Sequence, residues 1–193
     1  TPRDAEPDSN SFHSGQPPAG SGLDDNAPVP TSLYFLRHAT AQDRTLPMPD
    51  AERALTEKGL GQARAVARFC ERQGLLPQRL LSSPLVRAVE TATQFSHRLP
   101  DCPMPQIVDW LRLGTPTPEA LAHLRDSIDA DPATDSLWMV GHEPDLSDLI
   151  SRLLGSPHPI VRIKKASLTC ITVEPRSPQP GQLLWSVPCA LMG

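Results

Sequence analysis

The sequence predicts a three-layer α/β/α sandwich around a mainly parallel central sheet, and three observations lead to that fold class. Short apolar runs rich in strand-forming residues alternate with longer stretches whose apolar residues recur at helical spacing. Repeated strand, helix, strand, helix favours parallel strands joined by crossover helices that cover both faces of the sheet. With 193 residues, 38% of them apolar, the chain can bury one sizeable core.

Residues 1–31 stand apart. They are rich in Pro, Ser, Gly and Asp, and Phe12 and Leu23 are almost their only large apolar side chains. Such a segment cannot offset its ordering entropy, so a flexible tail is expected, followed by a catalytic domain over residues 32–190. The tail carries one Arg against five carboxylates, a net charge of −4, while the remainder balances 17 basic against 17 acidic residues. A neutral domain behind an acidic tail offers no electrostatic footprint for nucleic acid or an anionic membrane, and neither partner is expected. No apolar run reaches the roughly 18–20 residues that span a bilayer. A cytoplasmic monomer is the default expectation. The four cysteines are widely spaced, with no C-x-x-C pair, and are read as individually packed thiols.

Ser32-Leu33-Tyr34-Phe35-Leu36 reads as a first buried strand that delivers Arg37 and His38 at its carboxyl end. Thr56 sits at a helix N-cap position, and Ala63, Val66, Ala67 and Cys70 continue the helical spacing up to Gly74. Arg79–Ser82 is a second strand, after which Ser83 and Pro84 resemble an N-cap and first turn opening a helix to about Leu99. Gln106–Val108 is a third strand. Thr117-Pro118-Glu119 opens a helix that places Leu121, Leu124 and Ile128 on one face, and Leu137–Val140 is a fourth strand leading into Gly141-His142-Glu143-Pro144. Leu146, Leu149, Ile150 and Leu153 then share a helix face. Ser167–Glu174 and Leu183–Val187 look like a closing hairpin.

In open α/β sheets, sites form beyond the carboxyl ends of the strands. Three such ends deliver Arg37 and His38, Arg87, and His142. Two guanidiniums and two imidazoles gathered with little acidic compensation repel one another unless an anion joins them. A phosphoryl group fits: Arg presents a planar fork to its oxygens, and helix N-termini after Ser83 and Glu143 would add N–H donors. Imidazole is a competent nucleophile towards phosphorus. Neighbouring arginines would repel a divalent metal, so no metal and no cofactor are expected.

The blocks Leu36-Arg37-His38-Ala39, Arg53-Ala54-Leu55-Thr56, Ser82-Ser83-Pro84-Leu85-Val86-Arg87-Ala88-Val89-Glu90-Thr91 and Val140-Gly141-His142-Glu143-Pro144 occur in an order that resembles the histidine phosphatase superfamily. The likeness to its small SixA-like phosphohistidine phosphatases is the greatest, and it covers about residues 32–190. This resemblance implies a phosphoglycerate mutase-like fold. It implies His38 as the phosphorylated nucleophile, Arg37 and Arg87 as phosphate ligands, His142 as the second imidazole, and Arg53 as a further arginine reaching the bound oxyanion. The substrate it implies is a phosphorylated protein, a histidine phosphotransfer domain, or else a small phosphorylated metabolite.

Two departures from the family pattern bear on function. Ala39 stands where a glycine usually follows the nucleophile. A carboxylic acid for an alcohol leaving group has no clear position, with Glu143, Asp109 and Glu119 as candidates. A phosphoramidate needs less help from such an acid than an ester does, which favours phosphohistidine. A phosphomonoesterase or mutase, and a non-catalytic phosphate-binding module, are the competing readings. His13, His97, His123 and His158 lack any such setting and are read as non-catalytic, and Lys164-Lys165 is read as a solvated turn with an acidic protein partner as the alternative.

Overall fold

The structure is a computed structural model and describes residues 30–131 and 133–193. The expected tail lies outside the described residues as far as residue 29, and His13 with it. Strand β1 spans Thr31–Arg37, so it starts inside the stretch assigned to the tail, because Thr31 is buried and pairs with Val173. The folded unit also runs past residue 190. Met192 is buried, and its carbonyl accepts a hydrogen bond from Arg72 at 2.6 Å.

Helix α1 (Glu57–Gln73) is framed as its sequence predicts. The Thr56 side chain accepts from Gly59 N, and Gly74 closes the helix in the left-handed region at φ 65°. Then come β2 (Arg79–Ser82), α2 (Val86–Arg98), β3 (Gln106–Ile107), α3 (Thr117–Asp129), β4 (Ser136–Gly141), α4 (Asp145–Leu153), β5 (Leu168–Val173) and β6 (Gln182–Val187). The sheet order is β3-β2-β4-β1-β5-β6. The first four strands are mutually parallel, and β5 and β6 add an antiparallel hairpin beside β1.

Alternation along the strands divides the core into two layers. Leu36, Leu80, Trp138 and Val140 face Val66, Ala67 and Cys70 of α1 and Ala88, Ala92 and Phe95 of α2. Leu33, Phe35, Leu81, Leu137 and Met139 face Ala120, Leu124 and Ile128 of α3 and Leu146, Leu149 and Ile150 of α4. Trp138 anchors the first layer, stacked on Tyr34 with ring centroids 4.1 Å apart and on Phe95 at 5.4 Å. Helices therefore cover both faces, and the three-layer α/β/α architecture is the one the sequence predicts.

One helix start differs. Helix α2 begins at Val86 with Leu85 as its non-helical cap residue, and Ser83 is not its N-cap. Leu85 has extended backbone (φ −70°, ψ 135°), so the chain after Ser83 has not yet entered the helix, and the Ser83 hydroxyl is free for another use. Likewise α4 begins at Asp145 rather than directly after Glu143.

Candidate active site

Strands β1 and β4 end in register, with Leu36 opposite Val140 and Arg37 opposite Gly141. Beyond that pair, His38 N donates to Gly141 O at 3.0 Å and Ser83 N donates to Val140 O at 3.0 Å. Three chain segments are thereby tied together where β1, β2 and β4 finish. His38 and His142 emerge side by side, with ring centroids 5.2 Å apart and planes inclined at 50°.

Each imidazole has an orienting partner. His38 Nδ1 lies 2.8 Å from the carbonyl oxygen of Ala39, an acceptor, so Nδ1 carries the proton and Nε2 keeps its lone pair. His142 Nε2 lies 2.7 Å from Ser83 Oγ, which itself accepts from Leu85 N at 3.3 Å. In the tautomer in which the Ser83 hydroxyl donates to Nε2, the His142 proton sits on Nδ1. Both imidazoles are buried, and burial is the main cause that brings each pKa down to about 3. Positive charge on Arg87 and Arg37 pushes in the same direction at both rings. The two histidines are neutral at pH 7.

Three arginines surround them. Arg87, 0% exposed in the first turn of α2, donates from Nη1 to Asp50 O at 2.7 Å and from Nη2 to Asp50 Oδ2 at 2.9 Å. Arg53, also buried, donates from Nε to Asp50 Oδ1 at 2.9 Å, places Nη2 2.8 Å from the same oxygen, and donates from Nη1 to Gln42 O at 2.6 Å. Arg37 donates from Nη1 to Ile163 O at 2.9 Å. Burial lowers the pKa of Arg37 and of Arg87, though both remain cations. The Arg53 and Arg87 guanidiniums hold the Asp50 carboxylate below its ordinary range, against the opposing effect of burial.

The five sequence-predicted residues thus fall at one sheet edge, with Arg53 joined to the cluster through Asp50. Among the described residues, the buried side-chain nitrogen and oxygen atoms without a hydrogen-bond partner are Arg37 Nε, Arg87 Nε and His142 Nδ1. The two guanidinium nitrogens are donors, His142 Nδ1 is a third in the tautomer that takes the Ser83 proton at Nε2, and all belong to predicted site residues. A buried orphan donor costs about 1–3 kcal/mol, and an acceptor-rich anion would satisfy such donors. The neighbouring guanidinium charges do not suit a cation, and no group of three or more potential metal ligands occurs among the described residues.

Sequence reasoning missed Asp50, Ser83 in its orienting role, and Thr91. Thr91 Oγ1 donates to Arg87 O at 2.6 Å and accepts from Ala39 N at 3.1 Å, bridging the Arg87 helix to the chain after His38. Ala39 is fully buried and is not among the residues with positive φ, so its methyl fits where the family favours glycine. Gly59 accounts for the loop beyond it, since an added Cβ would collide with the carbonyl oxygen of Thr40. The proposed acids fare unequally. Asp109 is exposed and paired with Arg112 at 2.8 Å, and Glu119 is exposed on α3. Glu143 lies with its two oxygens 2.9 and 2.7 Å from the Ser147 hydroxyl. Asp145 is half-buried, and burial raises its pKa while Gly114 N donates to it at 2.6 Å.

Residues 33–112 match the histidine phosphatase superfamily (branch 1). An uncharacterized protein of Picosynechococcus sp. is 34% identical over 137 residues, which cover 70% of this chain and 81% of that protein. Among solved structures, the protein histidine phosphatase SixA complexed with tungstate superposes with a TM-score of 0.75 at 19% identity, over 84% of this chain and all of that one. A mycobacterial glucosyl-3-phosphoglycerate phosphatase with inorganic phosphate superposes with a TM-score of 0.68 at 18% identity, over 82% of this chain and 98% of that one. Among the described residues, no helix is long and apolar enough to cross a membrane.

Proposed function

Because the chain belongs to the histidine phosphatase superfamily and is a phosphatase, we propose that it hydrolyses phosphohistidine in a phosphotransfer protein through a phospho-His38 intermediate. The observation that carries the mechanism is the Nδ1 contact of His38 with Ala39 O, which leaves Nε2 as an unprotonated nucleophile beside three unpaired donors.

In the first step Nε2 of His38 forms a bond to phosphorus while the P–N bond to the substrate imidazole breaks. The departing ring keeps the bonding electron pair, and a proton on its other nitrogen lets it leave as neutral imidazole. Arg37, Arg87 and His142 Nδ1–H hold the three phosphoryl oxygens, where charge is spread in the transition state. Arg53 steadies Asp50, and through it Arg87. In the second step water attacks the phosphorus of phospho-His38, inorganic phosphate departs, and Nε2 recovers its lone pair.

The substrate class rests on the acids. Asp50 is held ionised by two arginines, Asp109 and Glu119 face solvent, and Glu143 is engaged by Ser147, so none is poised to protonate an alkoxide. A phosphoramidate does not require that proton. The second reading, an ester phosphatase, is favoured by Asp145, a carboxyl with raised pKa only three residues after His142. Phosphate release from a histidine-phosphorylated phosphotransfer domain, from p-nitrophenyl phosphate and from 3-phosphoglycerate separates the two. Release from the phosphohistidine at least about 100-fold faster in kcat/KM, unaffected by Asp145→Asn, is the expected result. Faster ester turnover that Asp145→Asn abolishes would overturn the phosphohistidine reading.

A further inference from the structure

We propose that Arg44, Lys58, Arg162 and Lys165 form an exposed basic ring around the mouth of the His38 site, and that this ring docks an acidic protein face carrying the phosphorylated side chain. The proposal rests on the phosphohistidine reading for its substrate and extends it to the partner's surface.

Hydrogen bonds at or within two residues of Lys58, Arg162 and Lys165, and an ion pair of Arg44 itself, tie these residues to the site. Ala166 N donates to Arg37 O at 3.0 Å and lies 3.4 Å from His38 O, which fixes Lys165 beside the nucleophile. Ala166 is fully buried with φ 53°, a left-handed conformation that a non-glycine residue keeps only where its surroundings hold it. Lys165 is therefore presented by a fixed turn, closed by the Ser167 hydroxyl donating to Lys164 O at 2.6 Å. Arg162 precedes Ile163, whose carbonyl accepts from Arg37. Arg44 Nε lies 3.7 Å from Asp50 Oδ1, the carboxylate that also holds Arg87. Lys58 is in the first turn of α1, beside Thr56 and Gly59, which contact Thr40 two residues beyond His38.

A basic side chain in a first helical turn opposes the helix dipole, so Lys58 gains nothing for α1 from its position. Asp43, Glu52 and Glu57 share these segments, and Asp43 is turned onto Thr45. Lys165 and Arg53 also act on the Asp43 carboxylate. After burial, the influences on Lys165 are Arg37, Arg53, Arg44 and Lys58, all cations, and together they lower its pKa. In a domain whose charges balance overall, this concentration on one face is directional.

The form of the ring selects the occupant. A second phosphate on a small substrate would call for convergent, buried donors, whereas Arg44 is 69% exposed and the four cations come from three separate segments. Dispersed, hydrated charges suit an extended acidic surface, where they steer encounter rather than grip one group.

The test compares wild type with an Arg162→Glu/Lys165→Glu variant on a histidine-phosphorylated phosphotransfer domain with an acidic surface and on phosphoramidate as the small probe. At low salt the variant should lose about tenfold or more in kcat/KM on the protein and less than about threefold on phosphoramidate, and the wild-type rate on the protein should fall with added salt. Equal losses on both substrates would overturn the proposal in favour of a small-anion subsite, and no loss on the protein would overturn it outright. A binding arm uses the His38→Ala protein, with and without the two reversals, against the same domain. Weakening of at least about tenfold by the reversals supports the surface even if wild type fails to turn the domain over, in which case only the catalytic reading falls. Unchanged binding overturns the surface whatever the turnover.

Discussion

The parallel strands β2, β4 and β1 and the antiparallel hairpin β5–β6 belong to one sheet but bury different things. The parallel part ends in His38, Ser83, Arg87 and His142, polar side chains held at or near zero exposure and satisfied only in part by the protein itself. In the hairpin, β5 is a buried apolar partner for β1, and β6 is an edge strand with Leu183 and Leu184 about half exposed. One part spends stability on pre-positioned donors, and the other screens the flank of the sheet. Substitutions in the first should therefore move activity, and those in the second should move stability slightly or nothing at all.

The largest expected effect is at the nucleophile. His38→Ala should lower kcat by at least about 10³-fold with the melting temperature little changed, because the ring ends a strand and contributes little to either core layer. Steady-state kinetics and thermal melting check both halves of that statement. Ser83→Ala removes the hydroxyl that orients His142 and should cost about tenfold in kcat. An unchanged kcat would show that His142 needs no such orientation.

Asp50→Asn links charge and stability within the parallel part. It weakens the partner of two buried arginines, and a fully buried pair would cost 3–5 kcal/mol, but Asp50 is 45% exposed, so about 1 kcal/mol is expected. That corresponds to a drop of about 2–4 °C, together with a rise in KM as Arg87 loses its fixed orientation. A fall in melting temperature with kinetics intact would make Asp50 structural only.

Acid stability follows from the histidines. Their folded pKa values of about 3 lie below the unfolded value of 6.5, so between those limits the unfolded chain binds more protons than the folded one. Stability should therefore be full above about pH 6.5 and fall as the pH is lowered towards 3. His38→Ala and His142→Ala should each flatten the melting-temperature profile over that window. The smallest effect belongs to the hairpin: Leu184→Ser on β6 should stay within about 0.5 kcal/mol and leave kcat/KM unchanged.

The same division explains what was legible in the sequence. Parallel strands buried on both faces leave continuous apolar runs, so Arg79–Ser82 and the core of β4 could be read directly, and the caps Thr56 and Gly74 marked α1. Arg37, His38, Arg87 and His142 were legible because strand ends in a parallel sheet converge by topology. Asp50 was not, since it lies in an irregular loop and meets Arg87 across 37 positions, a pairing with no periodic signature. Its only local trace is the spacing of three residues to Arg53. Ser83 misled because Ser-Pro is a good helix-start signal, and only the extended backbone at Leu85 shows that the hydroxyl serves His142 instead. At Thr31 a polar residue after Pro30 gives no strand signal, and only its pairing with Val173 of β5 places it in β1.

The proposed mechanism requires a covalent phosphoryl group on Nε2 of His38. Wild-type enzyme mixed with a ³²P-labelled phosphohistidine domain and quenched in alkali, which preserves phosphohistidine, should carry label on the peptide containing His38. That label should be lost in acid and be absent from His38→Ala. Label on another residue, or turnover by wild type with no trapped label while His38→Ala remains active, would contradict the account.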